Sequence, residues 1–517
     1  MEASKAIITT CVPVAILVLL WAWKVVSWLW LRPKKLERLL RQQGLQGNPY
    51  RLLTGDSTEM FNMHMQAKSK PMDLSHDILP RASSFVNHIV NKYGKSTFIW
   101  LGPVPRIILT DPVLIKEIMN KVYDYPKPHS NPLIRLLATG LAVYEGEKWA
   151  KHRRIINPAF NIEKLKIMLA TFYESFSYMV DKWEKTLSSD GSCEMDVWPF
   201  LQNATRDVIS RTAFGSSYEE GKRIFELLKE QAELAMNALL KVYIPGYRFL
   251  PTGANRTMNK NHRDVRTSLK DIINKRVEAM KAGEAPKDDL LGILLEANHK
   301  EIQEHGNKDD GMTSDDVIEE CKLFYFAGQE TTSVLLVWTM VLLSMYPDWQ
   351  KRAREEVFQV FGNQKPEFDG LNHLKIVTMI LYEVLRLYPP ILLLARTAVR
   401  DMKLGHLTIP GGVQVSIPVG LIHRDCELWG DDAEEFKPER FSEGVLKATK
   451  GRASFFPFGW GPRICIGQNF AMLEVKMALS MILQRFWFEL SPAYVHAPTF
   501  VLTLKPQYGA HIILHKL

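Results

Sequence analysis

Apolar residues are concentrated at the start of the chain and then recur at helical spacing through most of its length. Residues 6–23 contain no charged side chain, and after Lys24 the apolar character resumes as far as Leu31. That length is sufficient to cross a bilayer. Helical periods dominate most of the remaining chain. Short strand-like runs fall at residues 98–101, 107–110, 404–409, 413–417 and at the C-terminus.

This pattern predicts a mainly α fold with small β-sheets behind an N-terminal transmembrane helix. A cleavable signal peptide is the competing interpretation of the apolar start, but such a peptide would end in small residues. The segment ends instead in residues typical of a membrane interface: Trp21, Trp23, Trp28 and Trp30. Basic residues follow, with Glu37 the single acid among them, so the positive-inside rule places the downstream chain in the cytosol. The sequons at Asn203 and Asn255 are then expected to stay unglycosylated.

The rest of the sequence is predicted to form one large domain. No Gly/Ser-rich linker, repeat or low-complexity tract divides the chain after residue 50. We therefore expect a membrane anchor over residues 1–31, a basic linker with glycine and proline over residues 32–50, and one catalytic domain over residues 51–517.

Charge and cysteine content exclude several classes of protein. The 517 residues hold 65 Lys and Arg against 57 Asp and Glu, a net charge of +8, and no long basic run indicates nucleic acid binding. A modest positive charge suits a membrane surface or an acidic protein partner. The five cysteines are scattered without a CxxC pair, so the sequence predicts neither a disulfide framework nor a zinc site. The body of the protein should face a reducing compartment.

One cysteine stands out because a loop with glycine on both sides presents it. Phe458, Gly461, Arg463, Cys465 and Gly467 follow the spacing FxxGxRxCxG, and a long amphipathic helix begins just beyond. The glycines allow the backbone to bend and to approach a flat ligand, and the positive end of the helix dipole favours an ionised thiol. An inert buried cysteine is the alternative, but it leaves the spacing unexplained. Cys465 is therefore predicted as a metal-binding thiolate.

A second unusual segment lies inside a long apolar helix. Thr313 and Asp316 form a capping-box pattern, and the helix is predicted to continue to Pro347, about 50 Å at 1.5 Å per residue. Residues 327–332, Ala-Gly-Gln-Glu-Thr-Thr, interrupt its apolar stripe with a glycine, an acid and two hydroxyls. Glycine in the middle of a helix costs about 1 kcal/mol relative to alanine. Taken alone, the glycine could serve close packing, and a threonine could bond back to the preceding turn.

Charged residues also occur in an apolar context further along the chain. Glu383 and Arg386 lie three apart on a helix that stops at a Pro-Pro pair, and Arg440 follows in the segment Phe-Lys-Pro-Glu-Arg-Phe over residues 436–441. Their neighbours leave little room for a solvated pair, so the pattern predicts a buried network. Removal of one member would leave an uncompensated buried charge.

Two partial motifs are interpreted as coincidental. His423, Arg424 and Asp425 are similar to a kinase catalytic loop, but neither a VAIK lysine nor a DFG motif accompanies them. Residues 459–461 begin like GxGxxG, yet Ile464 occupies the place of the third glycine. With no dinucleotide site predicted, electrons for redox chemistry must come from a separate protein.

Taken together, the stronger motifs resemble those of cytochromes P450. The loop around Cys465 is similar to their haem-ligand loop, residues 327–332 to their oxygen-activation segment, and Glu383, Arg386 and Arg440 to their ExxR and PERF elements. The resemblance implies a cytochrome P450 fold with an N-terminal transmembrane helix, and haem b with an axial thiolate from Cys465. Such a thiolate favours O–O cleavage at haem iron. The implied reaction inserts one atom of dioxygen into a C–H bond.

The resemblance also implies roles for single residues in a haem-thiolate catalytic domain over residues 51–517. Thr331 would organise the bond to dioxygen, and Glu330 would help to deliver protons. The residues implied to bind haem are Trp149, Arg153, Arg396, Phe458, Arg463 and Gly467. The residues implied to support the cysteine loop are Glu383, Arg386 and Arg440.

Partners and location follow from the same resemblance. Electrons would come from NADPH-cytochrome P450 reductase, and one basic patch is a candidate docking surface for it: Lys148, Lys151, Arg153 and Arg154. The chain would be a single-pass protein of the endoplasmic reticulum membrane with a cytosolic catalytic domain. It would act on a hydrophobic small molecule with O2, and not on nucleic acid.

The resemblance extends to a narrower plant group. Residues 41–51, 324–332 and 457–463 look like the group that contains secologanin synthase, 7-deoxyloganic acid hydroxylase and oxidases of oleanane triterpenoids. By family position, mostly apolar residues would line the pocket: 131–141, Phe324, Phe326, 392–394 and 501–504. Bulky aliphatic walls suit a terpenoid, so we expect hydroxylation or further oxidation of a pentacyclic (oleanane-type) triterpenoid in saponin biosynthesis. Iridoid or secoiridoid oxidation of the secologanin type is the alternative. A non-oxygenating haem-thiolate protein is a third interpretation, against which Glu330 and Thr331 argue.

Overall fold

Helices make up most of the chain in this computed structural model, which describes residues 2–128, 131–215, 218–239, 244, 246–283, 289–305 and 311–517. Within those residues the helices are α1 (Glu2–Val26), α2 (Arg32–Gln42), α3 (Ser57–Lys68), α4 (Leu79–Ala82), α5 (Ser84–Tyr93), α6 (Pro112–Asn120), α7 (Gly146–Ile156), α8 (Ile162–Glu184), α9 (Trp198–Phe214), α10 (Tyr218–Leu239), α11 (Gly253–Lys281), α12 (Leu290–His305), α13 (Ser314–Met345), α14 (Pro347–Phe361), α15 (Phe368–His373), α16 (Lys375–Leu387), α17 (Val419–Ile422), α18 (Cys426–Trp429), α19 (Val445–Ala448) and α20 (Gln468–Arg485). The strands are β1 (Thr97–Leu101), β2 (Val104–Ile108), β3 (Ser192–Asp196), β4 (Leu394–Thr397), β5 (Met402–Leu404), β6 (Leu407–Ile409), β7 (Gln414–Ile417), β8 (Phe486–Leu490), β9 (Pro498–Val501), β10 (Thr503–Pro506) and β11 (His511–Lys516).

The strands of the described residues form small sheets. One sheet has the order β1-β2-β7-β4, in which β1 and β2 pair antiparallel and β2 and β7 pair parallel, with Arg106 opposite Gln414. Strands β3, β11 and β8 form a second, antiparallel sheet. Strand β5 pairs with β6, and β9 pairs with β10. The predicted mainly α fold with small β-sheets is confirmed.

The strand predictions are correct where the local pattern is clear. Strands β1, β2 and β7 coincide with predicted runs to within a few residues. The run over residues 404–409 is wrong as a single strand, because Gly405 adopts a φ of +56° and the chain turns back, with Leu404 opposite Leu407. Strands β3 and β4 were not predicted. Strand β3, Ser-Cys-Glu-Met-Asp, lacks the β-branched and aromatic residues on which such a prediction depends.

Helix α13 runs through the core. The Thr313 hydroxyl accepts a hydrogen bond from the Asp316 N–H, and the Asp316 carboxylate accepts one from the Thr313 N–H, so the predicted capping box is present. The helix ends at Met345, and Pro347 begins α14 at a position where its missing N–H costs nothing. Trp338, in the second half of α13, is fully buried. The long helix therefore offers a rigid, mostly dry support for any side chain that it carries.

The N-terminal helix continues into the body of the protein without a break. Helix α1 passes through a π-helical stretch, Ser27–Leu31, directly into α2. By length and composition, two described helices are apolar enough to cross a membrane, Pro13–Gln42 and Ser314–Met345. The most apolar part of the first is not buried at all, whereas 72% of that of the second is buried. The N-terminal helix is therefore the candidate membrane span, and the second is a core helix.

Residues 32–50, predicted as a linker, contribute side chains to the core. Leu36 and Leu40 on α2 and Tyr50 beyond it are nearly fully buried and belong to the main hydrophobic cluster. The Tyr50 hydroxyl donates to the carbonyl of Leu29 at 2.7 Å. This segment packs against the catalytic body while it leads to the anchor, and a boundary after residue 50 stays a prediction.

Candidate active site

A glycine-containing turn presents Cys465 just before α20 begins. Gly459 and Gly461 have φ values of +78° and +70°, in the left-handed region that glycine adopts without strain. A side chain at Gly461 would come within 2.7 Å of the carbonyl oxygen of Met119. The Cys465 N–H donates to the carbonyl of Phe458 at 2.8 Å. This hydrogen bond closes the loop and fixes the orientation of the cysteine.

Gly467 differs from its predicted role in bending the loop. Its φ is −88°, and an added Cβ would meet Phe160 at an ordinary 3.9 Å, so the backbone bend does not require glycine there. The Gly467 N–H instead donates a hydrogen bond to the Cys465 sulfur. That amide belongs to the N-terminal end of α20, where helix dipoles favour negative charge.

Burial outweighs these favourable contacts in setting the proton affinity of the thiol. The Cys465 side chain is accessible, yet the surrounding protein removes enough hydration to raise the pKa of the thiol. The Gly467 N–H, Arg153 and Lys127 lower that pKa without cancelling the effect of burial. The loop therefore favours an ionised thiol as predicted, but burial has the larger effect on the pKa. A metal ion deprotonates a coordinating thiol outright, so ligation would supply what the loop lacks.

Two arginines predicted to bind haem lie against the cysteine loop. Arg153 on α7 donates to the carbonyl of Ile464 at 2.9 Å. Arg463 forms an ion pair with Glu145, and its guanidinium lies 4.4 Å from the centre of the Trp149 ring. Trp149 thus contacts the loop through Arg463, and the two elements α7 and the loop are held together by these cations.

Arg396 and Lys127 complete a cluster of positive charge. Burial, followed by repulsion from Arg463, lowers the pKa of Arg396 to about 10. Burial, followed by repulsion from Arg396 and Arg463, lowers the pKa of Lys127 to about 7. Arg396 Nε and two guanidinium nitrogens of Arg463 are buried without a hydrogen-bond partner among the described residues. Unpaired guanidinium donors fit carboxylates, so the residues present suit the two propionates of a haem.

Sequence reasoning missed Lys127. It lies between Pro126 and Pro128, outside any helix or strand, and no motif marks it. Only the fold brings it to Arg396, Arg463 and Cys465. A lysine in an irregular segment has no periodicity from which such a role can be predicted.

The structure brings Glu383, Arg386 and Arg440 together. Glu383 and Arg386 are fully buried, and Arg386 Nε and Nη2 each donate to a different Glu383 oxygen at 2.7 Å. Arg440 Nε donates to Glu383 Oε1 at 3.4 Å, and Arg440 Nη1 pairs with Asp432 Oδ1 at 2.7 Å. Arg386 also donates to the carbonyl of His423 at 2.8 Å. Every charge in the network is paired, which is the condition for tolerating buried ions.

His423 links this network to the segment that leads into the cysteine loop, a structural role unrelated to the kinase-like tripeptide in which it stands. Its carbonyl accepts from Arg386, and its Nε2 accepts from the Phe456 N–H at 3.2 Å. Burial, assisted by Arg386 and Arg424, lowers the pKa of His423 to about 3. The ring therefore stays neutral and able to accept. A buried structural histidine inside a polar tripeptide carries no distinguishing pattern in one sequence.

Gly328 allows close helix packing, and Thr331 bonds back to the preceding turn of α13, as local helix chemistry predicts for each. A Cβ at Gly328 would lie 2.8 Å from Ile209 Cδ1, so the glycine permits α13 to pack closely against α9. The Thr331 hydroxyl donates to the carbonyl of Ala327 at 2.8 Å. Thr332 bonds back to its preceding turn in the same way. The oxygen-side role of Thr331 stays a prediction.

Glu330 contacts the C-terminal hairpin, which is formed by β9 and β10. Its Oε1 accepts a hydrogen bond from Thr503 Oγ1 at 2.8 Å, and the side chain is half-buried. It also borders a cleft in which Arg206 and Lys505 are neighbours. The acid of α13 is therefore tied to a strand that includes predicted pocket residues.

The predicted docking patch is largely engaged in contacts within the chain. Lys148 pairs with Asp316 at 2.6 Å, Lys151 donates to a backbone carbonyl at 2.9 Å, and Arg154 pairs with Glu301. These contacts offset part of the positive charge. Lys148 and Arg154 still keep about half of their side-chain surface exposed, 48% and 61%.

The predicted pocket segments divide by burial. Some members are almost fully buried and belong to the hydrophobic core: Leu133, Leu137 and Leu504. The half-buried members keep surface with which to contact a ligand. They are the apolar Pro132, Ile134, Leu136, Ala138, Phe326, Leu393, Leu394, Val501 and Leu502 and the polar Asn131 and Thr139. The usable walls of the predicted pocket are therefore mostly apolar.

Comparison with known proteins identifies the arrangement of cysteine loop, buried ion network and cation cluster. The cytochrome P450 family model matches residues 80–511, and the chain belongs to that family. It is a monooxygenase enzyme that carries haem b with a cysteine thiolate as axial ligand and works with O2 and a redox partner. A solved structure described as "Retinoic acid bound cyanobacterial CYP120A1" has the same fold, with a TM-score of 0.73 and 24% identity over 86% of this chain and 96% of that chain.

Its curated relatives include plant cytochromes P450 of the CYP72A type. Cytochrome P450 72A397 of Kalopanax septemlobus is 61% identical over 497 residues, 96% of each chain. Cytochrome P450 CYP72A219 of Panax ginseng is 59% identical over 518 residues, 100% of each chain. Cytochrome P450 72A68 of Medicago truncatula is 59% identical over 500 residues, 96% of each chain. With the apolar N-terminal helix, these relatives indicate a membrane-anchored enzyme.

Proposed function

We propose that this P450 oxidises a C–H bond of an oleanane-type pentacyclic triterpenoid in saponin biosynthesis, by hydroxylation or by further oxidation. The observation that carries the proposal is the mostly apolar character of the half-buried pocket residues, among them Phe326, Leu394 and Val501. Such walls suit a rigid hydrocarbon skeleton. A more oxygenated iridoid would need polar partners, because unpaired buried hydroxyls cost about 1–3 kcal/mol each. Arg135, in the same segments, is exposed.

We assign the roles in this reaction to the residues around the loop. Cys465 would bind the haem iron through its thiolate, and Arg153, Arg396, Arg463 and Lys127 would hold the propionates. Bound haem supplies the chemistry of oxygen activation. Each turnover takes O2, two electrons and two protons, and gives one oxygen atom to the C–H bond and one to water. The protein's own share is to hold the haem, exclude water and move protons.

Glu330 and Thr331 are the groups proposed to act on the oxygen side. Glu330 is half-buried beside a cleft that other charged side chains border, which supports a role in moving protons inward. Thr331 follows Glu330 on α13, and its hydroxyl donates to the carbonyl of Ala327. Thr331→Ala should lower the product formed per NADPH consumed, because unproductive release of reduced oxygen replaces part of the insertion. An unchanged ratio would contradict the role of Thr331.

The proposed redox partner is NADPH-cytochrome P450 reductase, and the proposed location is the endoplasmic reticulum membrane with the catalytic domain in the cytosol. The basic residues on and beside α7 support an acidic partner. Their pairing within the chain weakens the attraction without abolishing it. Electron transfer should slow as salt rises, and transfer that is indifferent to salt would exclude an electrostatic docking site.

The substrate is tested with microsomes that contain this chain and the reductase. Oleanane triterpenoids and iridoids are offered in parallel with NADPH, and products are identified by mass spectrometry. A gain of one oxygen on a triterpenoid is expected. Turnover of iridoids alone would overturn the substrate class. The absence of both oxygenated product and substrate-dependent NADPH consumption would favour a non-oxygenating protein. Cys465→Ser, which should lose the thiolate signature of the ferrous carbon monoxide spectrum, is the inactive control.

A further inference from the structure

The carboxylate of Glu330 is held by an element other than its own helix. Thr503 Oγ1, on β10, donates to Glu330 Oε1 at 2.8 Å. Thr503 is 2% exposed, so its hydroxyl has little access to water as an alternative partner. A hydrogen bond to a charged carboxylate is stronger than a neutral one. The contact therefore constrains the side chain of Glu330.

The hairpin that carries Thr503 is itself firmly placed. Val501 pairs with Thr503, so Leu502 alone makes the turn, and its φ of +64° lies in the left-handed region that costs a branched residue energy. The next residue, Leu504, accepts from Trp338 Nε1 at 2.7 Å and donates to the carbonyl of Pro390 at 3.0 Å. Because Trp338 lies on α13, the same helix that carries Glu330 also fixes the strand that carries Thr503.

The position of Glu330 connects two sides of the site. A cleft between α9, α10, α13 and the hairpin reaches this residue. Its charged border is made by Arg206, Lys229, Glu233, Glu330 and Lys505. Lys229 and Glu233 are exposed, so the cleft meets solvent. The hairpin also supplies Val501 and Leu502 to the predicted pocket, so Thr503 sits where solvent access and substrate contact meet.

We propose that Thr503 is a positioning residue for proton delivery, which holds the Glu330 carboxylate between the solvent cleft and the pocket. Without its hydroxyl, Glu330 loses a donor and gains rotational freedom. Protons then arrive less reliably, and more of the O2 that takes up two electrons and two protons leaves as hydrogen peroxide instead of being divided between product and water. The inference rests on the proposed role of Glu330.

The test compares Thr503→Val with Thr503→Ser in the full-length enzyme with its reductase and a turned-over substrate. Valine keeps the shape and removes the hydroxyl, whereas serine keeps the hydroxyl. Thr499→Val, at a buried threonine on the paired strand β9, is the matched control. We measure product and hydrogen peroxide per NADPH, the ferrous carbon monoxide spectrum and the substrate-binding difference spectrum.

For Thr503→Val we expect the product per NADPH to fall roughly fivefold or more, with matching hydrogen peroxide and both spectra unchanged. Thr503→Ser and Thr499→Val should behave as wild type, and Thr503→Val should add little to Glu330→Gln. If Glu330→Gln lowers coupling and Thr503→Val does not, the inference is wrong while the role of Glu330 stands. Failure of serine to restore coupling would also overturn it. If Glu330→Gln couples as wild type, the role of Glu330 fails first.

Discussion

Unpaired nitrogens on Arg396 and Arg463 make the cofactor part of the fold's stability. A buried donor without a partner costs about 1–3 kcal/mol, and both arginines keep such donors beside the cysteine loop. A ligand that binds the native state and not the unfolded state stabilises the native state by mass action. Haem propionates that accept from these donors would therefore stabilise the loop as well as locate the cofactor.

Glu383→Gln should lower haem content strongly. The change leaves Arg386 fully buried without its carboxylate partner, and breaking such a pair costs about 3–5 kcal/mol. The measurements are haem per protein and the ferrous carbon monoxide spectrum. Glu435→Gln is the matched control, because Glu435 pairs with Lys437 at the surface, where a bridge is worth at most about 1 kcal/mol. Equal haem content in the two variants would contradict the supporting role of Glu383.

Among the helices, α9 and α13 depend on one glycine for their close contact. Gly328→Ala should lower the free energy of unfolding, because the new methyl group would overlap Ile209 Cδ1. Overpacking costs about 1–3 kcal/mol, and the better helix propensity of alanine returns about 1 kcal/mol of it. Ile209→Val in the same chain removes Cδ1 and should recover part of the loss. Chemical unfolding of the two variants checks this, and a double variant no more stable than Gly328→Ala would contradict the packing explanation.

The sequence predicts elements well where one local rule decides them. The capping box at Thr313, the long apolar helix α13 and the strand-like runs of β1 and β7 all lie in the folded chain as expected. Strand β3 is missed because its residues have weak strand propensity, and it exists through pairing with β11, more than 300 residues away. Pairing between distant segments leaves no trace in local periodicity.

The same division holds for the site. Cys465, Glu383, Arg386 and Arg440 stand in motifs with fixed spacing, and the fold brings them into the predicted neighbourhoods. Lys127 contacts the site only through the fold, so nothing near it in the sequence marks it. Thr503 lies in a predicted pocket segment, but its contact with Glu330 joins distant parts of the chain and has no local signal. For Cys465 the predicted effect of the helix end is present, but burial, which depends on the whole surroundings, has the larger effect on the pKa of the thiol.

At the scale of the whole molecule, the folded enzyme should tolerate removal of its N-terminal anchor only if the deletion ends before α2. Deletion of residues 1–31 should leave the carbon monoxide spectrum intact, because the apolar window it removes is not buried. Deletion of residues 1–50 also removes Leu36, Leu40 and Tyr50 from the core, at about 1.5–3 kcal/mol each. Haem content and unfolding midpoint distinguish the two. Equal stability would show that residues 32–50 are a linker after all.

Three buried histidines make stability fall with acid. Burial lowers the pKa of His76 and His423 to about 3 and that of His496 to about 4. The unfolded chain binds these protons near pH 6.5, so the folded state loses stability as pH falls from about 6.5 towards about 4, by ~1.4 kcal/mol per histidine and pH unit. Unfolding midpoints measured across this window should drop steeply. His496→Gln should flatten the drop and exposed His406→Gln should not; equal slopes would contradict the assignment.

The continuous helix from α1 through Ser27–Leu31 into α2 affects how the enzyme meets its substrate and its redox partner. Because Leu36 and Leu40 lock α2 into the body, the enzyme cannot swing freely beneath its anchor, and one face stays turned to the bilayer. The proposed triterpenoid substrate would then be met by diffusion within the lipid, and the proposed membrane-bound reductase by diffusion along its surface. Turnover should therefore follow the number of molecules per unit area of membrane, and diluting the vesicles in buffer should change it little.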